Sequence, residues 1–360
     1  MESNEACDVS LPLYCRSLFM LFPAPRLSYR FSRGRRLTLA PMAGALALGL
    51  ASVAGTAAAQ GGYPSKPIQL VIPFPPGGST DVIGRIVGQK LGERLGQTVV
   101  VDNRPGAGTI VGASFVAKAA PDGYTLLVTS GTTFTVNPAI HAKLPYDPIK
   151  SFDPVAQVGV TGLILLANRD TPANNLKEYV AMVKPSPGKY SYGSFGAGTT
   201  AHFAGEALQT LTGTKMLHVP YKGSAPAMTD LIGGQIPFSM DTVTAAIPQV
   251  KAGKVKAIAV TTAKRSALLP DVPTVAESGY PGMDAATWLA IVAPAGVPAE
   301  VKAKLEKTLG EVVADPATRQ KLIDNGFEPT YATGAQVAAK IVKETPQMRA
   351  IARAANIQAE

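Results

Sequence analysis

Short apolar runs alternate with longer amphipathic segments along most of this sequence, and Gly, Pro or Asp marks nearly every change. Residues 67–74 (PIQLVIPF) form a nearly continuous apolar run, which is typical of a strand buried on both faces. Residues 79–95 then carry apolar side chains at helical spacing. Strands at 98–101 and 124–129, with a helix at 110–119 between them, continue the pattern. This βαβαβ order predicts a parallel sheet covered by helices.

A second series of alternating strands and helices occupies residues 163–261, and a strand at 288–293 precedes three C-terminal helices. Because the chain has 360 residues and is 46% hydrophobic, it is long enough for two packed cores. We therefore expect an α/β protein of two Rossmann-like lobes. Its first lobe would comprise residues 62–160 and 288–360, and its second lobe residues 161–287.

The first 59 residues are predicted to be an export signal peptide that is removed after Ala59. A cluster of four arginines between residues 30 and 36 precedes an apolar stretch at 37–58, which ends in small residues. An uncleaved membrane anchor is the alternative, and Arg35-Arg36 leaves open whether export follows the general secretory or the twin-arginine route. The segment before Arg30 is long for such a signal, so the start codon is open as well. We accordingly expect the mature protein in the periplasm.

The export segment also holds both cysteines, Cys7 and Cys15, so a mature chain would contain neither disulfides nor thiolate metal sites. Residues 1–59 contain six Arg and three acidic residues, a net charge of +3, and subtracting this from +9 leaves about +6. Such a mild positive field attracts anions. No basic run or aromatic-basic pattern indicates nucleic-acid binding.

Four segments rich in Gly, Ser and Thr directly follow predicted strands, which is where open α/β sheets bind ligands. They are residues 75–81, 130–133, 194–202 and 219–225. The first two have a simpler interpretation as capped turns without a ligand. Asp241 lies one strand after the fourth segment. It would either accept a hydrogen bond from a ligand amine or a closing loop, or cap the helix at Val243, and both interpretations stay open.

The third segment was compared with two enzyme motifs and matches neither. Gly196, Gly198 and Ala201 fit G-x-G-x-x-A, but the following strand carries no acidic residue to bind a ribose. Ser194 is not a nucleophile elbow, because Tyr192 occupies the position of the first glycine. What remains is a helix N-terminus that accepts anions.

Catalytic motifs are missing from the sequence. Only three histidines are present, His141, His202 and His218, and neither H-E-x-x-H nor a phosphate-binding loop occurs. We therefore predict a protein that is not an enzyme and uses no metal or cofactor.

Five motifs occur in an order that resembles a known family. Residues 73–81 (PFPPGGSTD), 101–108 (VDNRPGAG), 121–127 (PDGYTLL), 219–223 (VPYKG) and 293–298 (APAGVP) together resemble the Bug family of tripartite tricarboxylate transporter receptors. The resemblance extends over residues 63–356.

The resemblance implies a type II-like periplasmic binding protein fold, whose two lobes close about a hinge over a small carboxylate. In that family loop amides, hydroxyls and ordered water hold the carboxyl group, which agrees with the lack of Arg in the four segments. The ligand would be a small organic acid or amino acid, and the partners would be integral membrane transporter subunits. The expected oligomeric state is a monomer. The ligand-binding residues carried over are Gly77, Gly78, Ser79, Asp81, Ser130, Thr132, Thr133, Ser194, Gly198, Thr199, Thr200, Tyr221 and Asp241.

Two other functions stay open on the sequence. A periplasmic sensor for a two-component system would use the same closed form as its signal. A periplasmic hydrolase or isomerase would need a convergent nucleophile and base.

Overall fold

A computed structural model describes residues 62–358, so the predicted export segment lies outside the described residues. The strands are β1 Ile68–Ile72, β2 Val99–Asn103, β3 Thr125–Ser130, β4 Phe152–Asn168, β5 Ser191–Ser194, β6 Leu217–Pro220, β7 Phe238–Thr242, β8 Val255–Val260, β9 Ala286–Pro294 and β10 Ala332–Thr333. The helices are α1 Ser79–Leu95, α2 Ile110–Ala117, α3 Asn137–Ile140, α4 Leu176–Val183, α5 Thr200–Thr212, α6 Ser224–Ile232, α7 Val243–Lys251, α8 Ala299–Ala314, α9 Pro316–Asp324 and α10 Gly334–Ala354. A π-helical turn, Thr132–Val136, precedes α3.

The first lobe is built on a mixed sheet. Its strands β1, β2 and β3 are parallel, which confirms the parallel pairing predicted from the βαβαβ order. Strand β9 then adds antiparallel to β3, and the first part of β4 adds antiparallel to β9. The sheet order is therefore β2-β1-β3-β9-β4, with β10 pairing the other side of β4.

The second lobe has its own sheet, in which β5 pairs in parallel with both β6 and β7. The last part of β4 lies between β7 and β8 and runs antiparallel to each. The two-lobed α/β architecture expected from the sequence is thus present.

Strand β4 takes part in both sheets. Its residues 152–162 pair with β9, and its residues 163–168 pair with β7 and β8. The predicted second series begins only at residue 163, since Pro154, Gly159 and Gly162 interrupt the earlier part of this strand. The pairing with β9 holds that part extended despite these residues, with two register shifts along it.

Each sheet is covered by apolar side chains on both faces. In the first lobe Ile68, Leu70 and Ile72 pack with side chains of α1 and α8, whereas Val71 and Leu127 face the other side, toward Phe134 and Trp288. This alternation is the period of two that a strand imposes. Burying one such side chain fully contributes about 1.5–3 kcal/mol, so the sheets are rigid supports for the loops at their carboxyl ends.

The helices that follow the strands begin with hydroxyl caps at several of these loops. Thr199 caps α5 by accepting a hydrogen bond from His202 N, and Thr242 caps α7 by accepting one from Ala245 N. The N-cap of α7 is thus Thr242 and not Asp241, which removes one of the two sequence interpretations of that aspartate. Within residues 62–358, none of the helices combines the length and the apolar character needed to cross a membrane.

Candidate functional site

The loop between β1 and α1 is held in place by Asp81. The Asp81 carboxylate accepts hydrogen bonds from Gly77 N at 3.1 Å and from Asn103 Nδ2 at 3.0 Å, and it pairs with Arg85 at 2.9 Å. Burial opposes ionisation of Asp81, but these donors outweigh burial and hold its pKa below the usual value. The carboxylate is therefore occupied by its own lobe, and it fixes Ser79 in the first turn of α1.

The turn after β3 is a network of buried hydroxyls. Thr133 Oγ1 lies 2.6 Å from Thr129 Oγ1 and donates to Thr109 Oγ1 at 2.8 Å, while Thr132 N donates to Ser130 Oγ at 3.3 Å. The hydroxyl of Thr133 is thus used within the first lobe.

The loop between β5 and α5 carries Ser194, Gly198, Thr199 and Thr200. Thr199 Oγ1 donates to the Gly196 carbonyl at 2.7 Å, and Ser194 Oγ accepts from Gly196 N at 3.2 Å. Ser194 Oγ also lies 2.7 Å from Nε2 of His218. These bonds fix the course of the loop from inside.

Beneath this loop, His202 and His218 stack with ring centroids 3.8 Å apart and an angle of 9° between the planes. Gly198 N donates to His202 Nδ1 at 3.2 Å, so the neutral ring carries its proton on Nε2, 4.0 Å from Glu206 Oε1. Burial lowers the pKa of His202 to about 4 and, with the influence of His202, that of His218 to about 3. Both rings are therefore neutral at pH 7.

The two lobes meet through threonines. Thr200 N donates to Thr132 Oγ1 at 3.4 Å, and Thr200 Oγ1 lies 2.9 Å from Thr287 Oγ1 in β9. A glycine permits a second close approach, because a β-carbon on Gly223 would stand 2.8 Å from Cγ of Pro75. Gly223 also has a φ of +125°, which favours glycine.

A small cavity of about 20 Å³ lies where these loops converge. Residues of both lobes line it: Phe74, Pro75, Gly78, Ser79, Thr80, Ser130, Phe195, Ser224 and Thr287. None of these nine residues has a titratable side chain, so the polar groups that face the cavity are hydroxyls and main-chain atoms.

Phe74 and Phe195 also line a wider outer cleft of about 640 Å³, together with Tyr221 and Lys222. The two phenylalanine rings meet edge to face, with centroids 6.0 Å apart. Tyr221 OH donates to Asp230 Oδ2 at 2.7 Å, which holds that ring against the second lobe.

Among the predicted ligand residues, Gly78, Ser79 and Ser130 line the inner cavity, and Tyr221 lines the outer cleft. Thr132 and Thr200 lie at the contact between the lobes. Seven others do not line the inner cavity: Gly77, Asp81, Thr133, Ser194, Gly198, Thr199 and Asp241.

Sequence reasoning missed several lining residues. Ser224 lies in the fourth Gly-Ser-rich segment, so its place after a strand was a usable signal. Thr287 precedes the predicted start of its strand, and Phe74 and Phe195 read as ordinary apolar positions beside the loops. Nothing local in the sequence distinguishes these last three.

A family model described as "Tripartite tricarboxylate transporter family receptor" matches residues 83–357. A UPF0065 protein of Bordetella pertussis is 40% identical over 267 residues, which is 74% of this chain and 82% of that protein. Protein BugT of the same organism is 36% identical over 292 residues, which is 81% of this chain and 90% of BugT.

Three solved structures share the fold. The periplasmic binding protein BugD is 37% identical, with a TM-score of 0.78, over 83% of this chain and 100% of its own. Rpa4515 of R. palustris, solved with adipate, is 32% identical, with a TM-score of 0.80. The match covers 82% of this chain and 99% of Rpa4515. MatC of Rhodopseudomonas palustris, solved with malate, is 30% identical, with a TM-score of 0.74. The match covers 80% of this chain and 99% of MatC. From the family match, these relatives and the shared two-lobed fold, the chain belongs to the Bug family of tripartite tricarboxylate transporter receptors.

Proposed function

We propose that this protein captures a small organic acid between its two lobes in the periplasm and delivers it to integral membrane transporter subunits. One observation carries the proposal: a cavity lined by hydroxyls from both lobes, with Ser79, Ser130 and Thr287 on one side and Ser224 on the other. A ligand held there contacts both lobes at once.

The electrostatics of the cavity favour an anion. Helices α1 and α6 begin at Ser79 and Ser224, which both line it, so the free N–H groups and positive dipole ends of these helices lie at the cavity. Because charged side chains are missing from the lining, a carboxylate would bind through neutral donors, and water exclusion strengthens each such contact.

The relatives support a carboxylate as the ligand. Rpa4515 was solved with adipate and MatC with malate, and both molecules are small dicarboxylic acids. The family description names tricarboxylates. Dicarboxylates, tricarboxylates and acidic amino acids are accordingly the classes to test first.

Closure of the lobes would follow from the contacts of Thr200 with Thr132 and Thr287. A ligand that binds the closed form more tightly shifts the population toward it. Strand β4 runs from the first sheet into the second, and the chain returns from the second lobe at Ala285, just before β9, so these two segments would bend as the hinge. The lobe boundaries would then be those predicted, 62–160 with 288–360 and 161–287, except that Thr287 falls in the first lobe with the rest of β9.

We assign the predicted site residues to four tasks. Ser79 and Ser130 would donate to the ligand, with main-chain N–H groups near Gly78 beside them. Thr132 and Thr200 would join the lobes around the ligand. Gly77 and Gly198, whose N–H groups donate to Asp81 and His202, belong with the residues that hold the loops. Asp81, Thr133, Ser194 and Thr199 would hold the loops in place, and Tyr221 would bound the outer cleft. The protein would act as a monomer without catalysis.

A thermal-shift panel of mono-, di- and tricarboxylates and acidic amino acids tests the proposal. A ligand that binds only the folded protein at a hundred times its Kd stabilises it by about 2.7 kcal/mol and raises Tm. For the acid found, titration calorimetry should show that Ser79→Ala and Ser130→Ala weaken binding about tenfold, since each removes a hydroxyl from the cavity. Thr210→Ala, on the exposed side of α5, is the control and should bind as the parent does.

The proposal fails if no acid in the panel raises Tm. It also fails if Ser79→Ala and Ser130→Ala both bind the acid with unchanged affinity.

A further inference from the structure

Asp241 stands at the end of β7 with its side chain removed from solvent. Its Oδ1 accepts from Ser224 Oγ at 2.8 Å and from Thr242 N at 2.7 Å. Its Oδ2 is buried and has no hydrogen-bond partner within residues 62–358. Buried polar atoms in native proteins nearly always have a partner, so this oxygen requires an explanation.

The charge of Asp241 is also uncompensated. Burial raises the pKa of its carboxyl group to about 6, and the donors that oppose this are Ser224 and Thr242, with no cation among them. An isolated buried carboxylate is unfavourable unless a donor or a positive charge is brought to it. Perturbed groups of this kind concentrate at functional sites.

Asp241 is one side chain away from the inner cavity. Ser224, whose hydroxyl donates to Asp241, lines the cavity, and its Oγ would lie 3.6 Å from a β-carbon on Gly78 of the other lobe. Asp241 and Ser224 therefore belong to the part of the second lobe that faces the first.

We infer that Asp241 is a specificity residue whose free Oδ2 accepts a hydrogen bond from an amino or hydroxyl group on the bound acid. The protein then prefers amino and hydroxy acids to plain carboxylic acids of the same length. An ammonium group is preferred to a hydroxyl, because it also compensates the buried charge. This inference rests on the proposed capture of a small acid.

Two matched ligand series test it by titration calorimetry on the purified full chain at pH 7.5. The first is succinate, malate and aspartate, and the second is glutarate, 2-hydroxyglutarate and glutamate. Within a series only the group on carbon 2 changes, from hydrogen to hydroxyl to ammonium. In the series whose length fits, we expect the ammonium acid to bind ten- to a hundredfold more tightly than the plain acid, with the hydroxy acid between them.

Asp241→Asn assigns the preference to this residue. The asparagine oxygen still accepts from Ser224, but an NH₂ donor replaces Oδ2 and faces the donor of the ligand. The variant should lose the preference, so that the ammonium acid binds it no more tightly than the plain acid does. Asp170→Asn, in the exposed loop after β4, is the matched control and should keep the parental order.

Equal binding of the plain, hydroxy and ammonium acids overturns the inference and leaves the proposed function intact. So does an Asp241→Asn variant that keeps the parental order. If that variant does not fold, as circular dichroism would show, the ligand series on the parent protein decides alone. If no acid of either series or of the wider panel binds, the proposed function fails and this inference fails with it.

Discussion

The two sides of the cavity are stabilised in opposite ways. On the first lobe, the buried Asp81 is surrounded by donors and paired with Arg85, so it is held in its charged form. On the second lobe, His202, His218 and Asp241 are buried, and burial favours the neutral form of each. The first side is therefore preformed over a wide pH range, whereas the second responds to pH and to what binds it.

The largest expected effect is loss of stability in acid, caused by the histidine pair. Their folded pKa values are depressed below 6.5, so the stability they contribute is present above that pH and is lost as pH falls toward 4. From pH 7 to pH 5 the free energy of unfolding should fall by about 3 to 4 kcal/mol from the two rings together. Urea unfolding of the Asp241→Asn variant at the two pH values measures this, because the variant lacks the opposing contribution of Asp241.

NMR of the histidine rings separates the pair from a reference within the same protein. His202 and His218 should resist protonation until the pH is below 5, whereas the less buried His141 should protonate at a higher pH. Midpoints near 6.5 for both members of the pair would show that the rings are not buried as described.

The next effect concerns the first lobe. Asp81→Asn removes the charge that Arg85 pairs with and places an NH₂ group against one of two donors, Gly77 N or Asn103 Nδ2. The free energy of unfolding should fall by about 2 to 3 kcal/mol in urea titrations. Asp170→Asn, at an exposed position, should leave it unchanged. An Asp81→Asn protein as stable as the parent would contradict the idea of a charge-stabilised first side.

Much of the fold could be predicted, because local pattern determines it. Helix α1 begins and ends at the predicted residues 79 and 95, and α7 begins at the predicted Val243. The earlier part of β4 could not be predicted, because its extended form depends on β9, more than a hundred residues away in the sequence.

In the candidate site, too, local sequence signals could be predicted and contacts made by the fold could not. Loops after strands were visible as Gly-Ser-Thr segments, and Ser79 and Ser130 do line the cavity. The difference between Asp81 and Asp241 was not visible, because it depends on Asn103 for one and on the lack of any cation for the other. Partners brought together by the fold decide what each aspartate does.

A smaller effect tests the second lobe through Asp241. Its folded pKa is raised from 3.8 to about 6, so the stability linked to its neutral form is present at low pH and is lost as pH rises through 6. Asp241→Asn removes this dependence. The stability of the variant relative to the parent should therefore increase by about 1 to 2 kcal/mol between pH 5 and pH 8, with the histidine contribution cancelling in the comparison. If the difference in unfolding free energy between variant and parent were the same at pH 5 and pH 8, the carboxyl group of Asp241 would ionise as readily as that of Asp81.

The smallest effect lies where the two sides touch. Thr200→Ala removes the hydroxyl that bonds Thr287 across the lobes, without removing a buried apolar contact of either core. A single neutral hydrogen bond contributes about 0.5 to 1.5 kcal/mol, so the affinity for the captured acid should fall about two- to tenfold while the free energy of unfolding changes little. Thr287→Ala should have the same effect, and the double variant should be no weaker than either single one, since one bond is lost in all three. Additive losses in the double variant would mean that each hydroxyl acts on the ligand separately, and the contact between the lobes would then contribute nothing to closure.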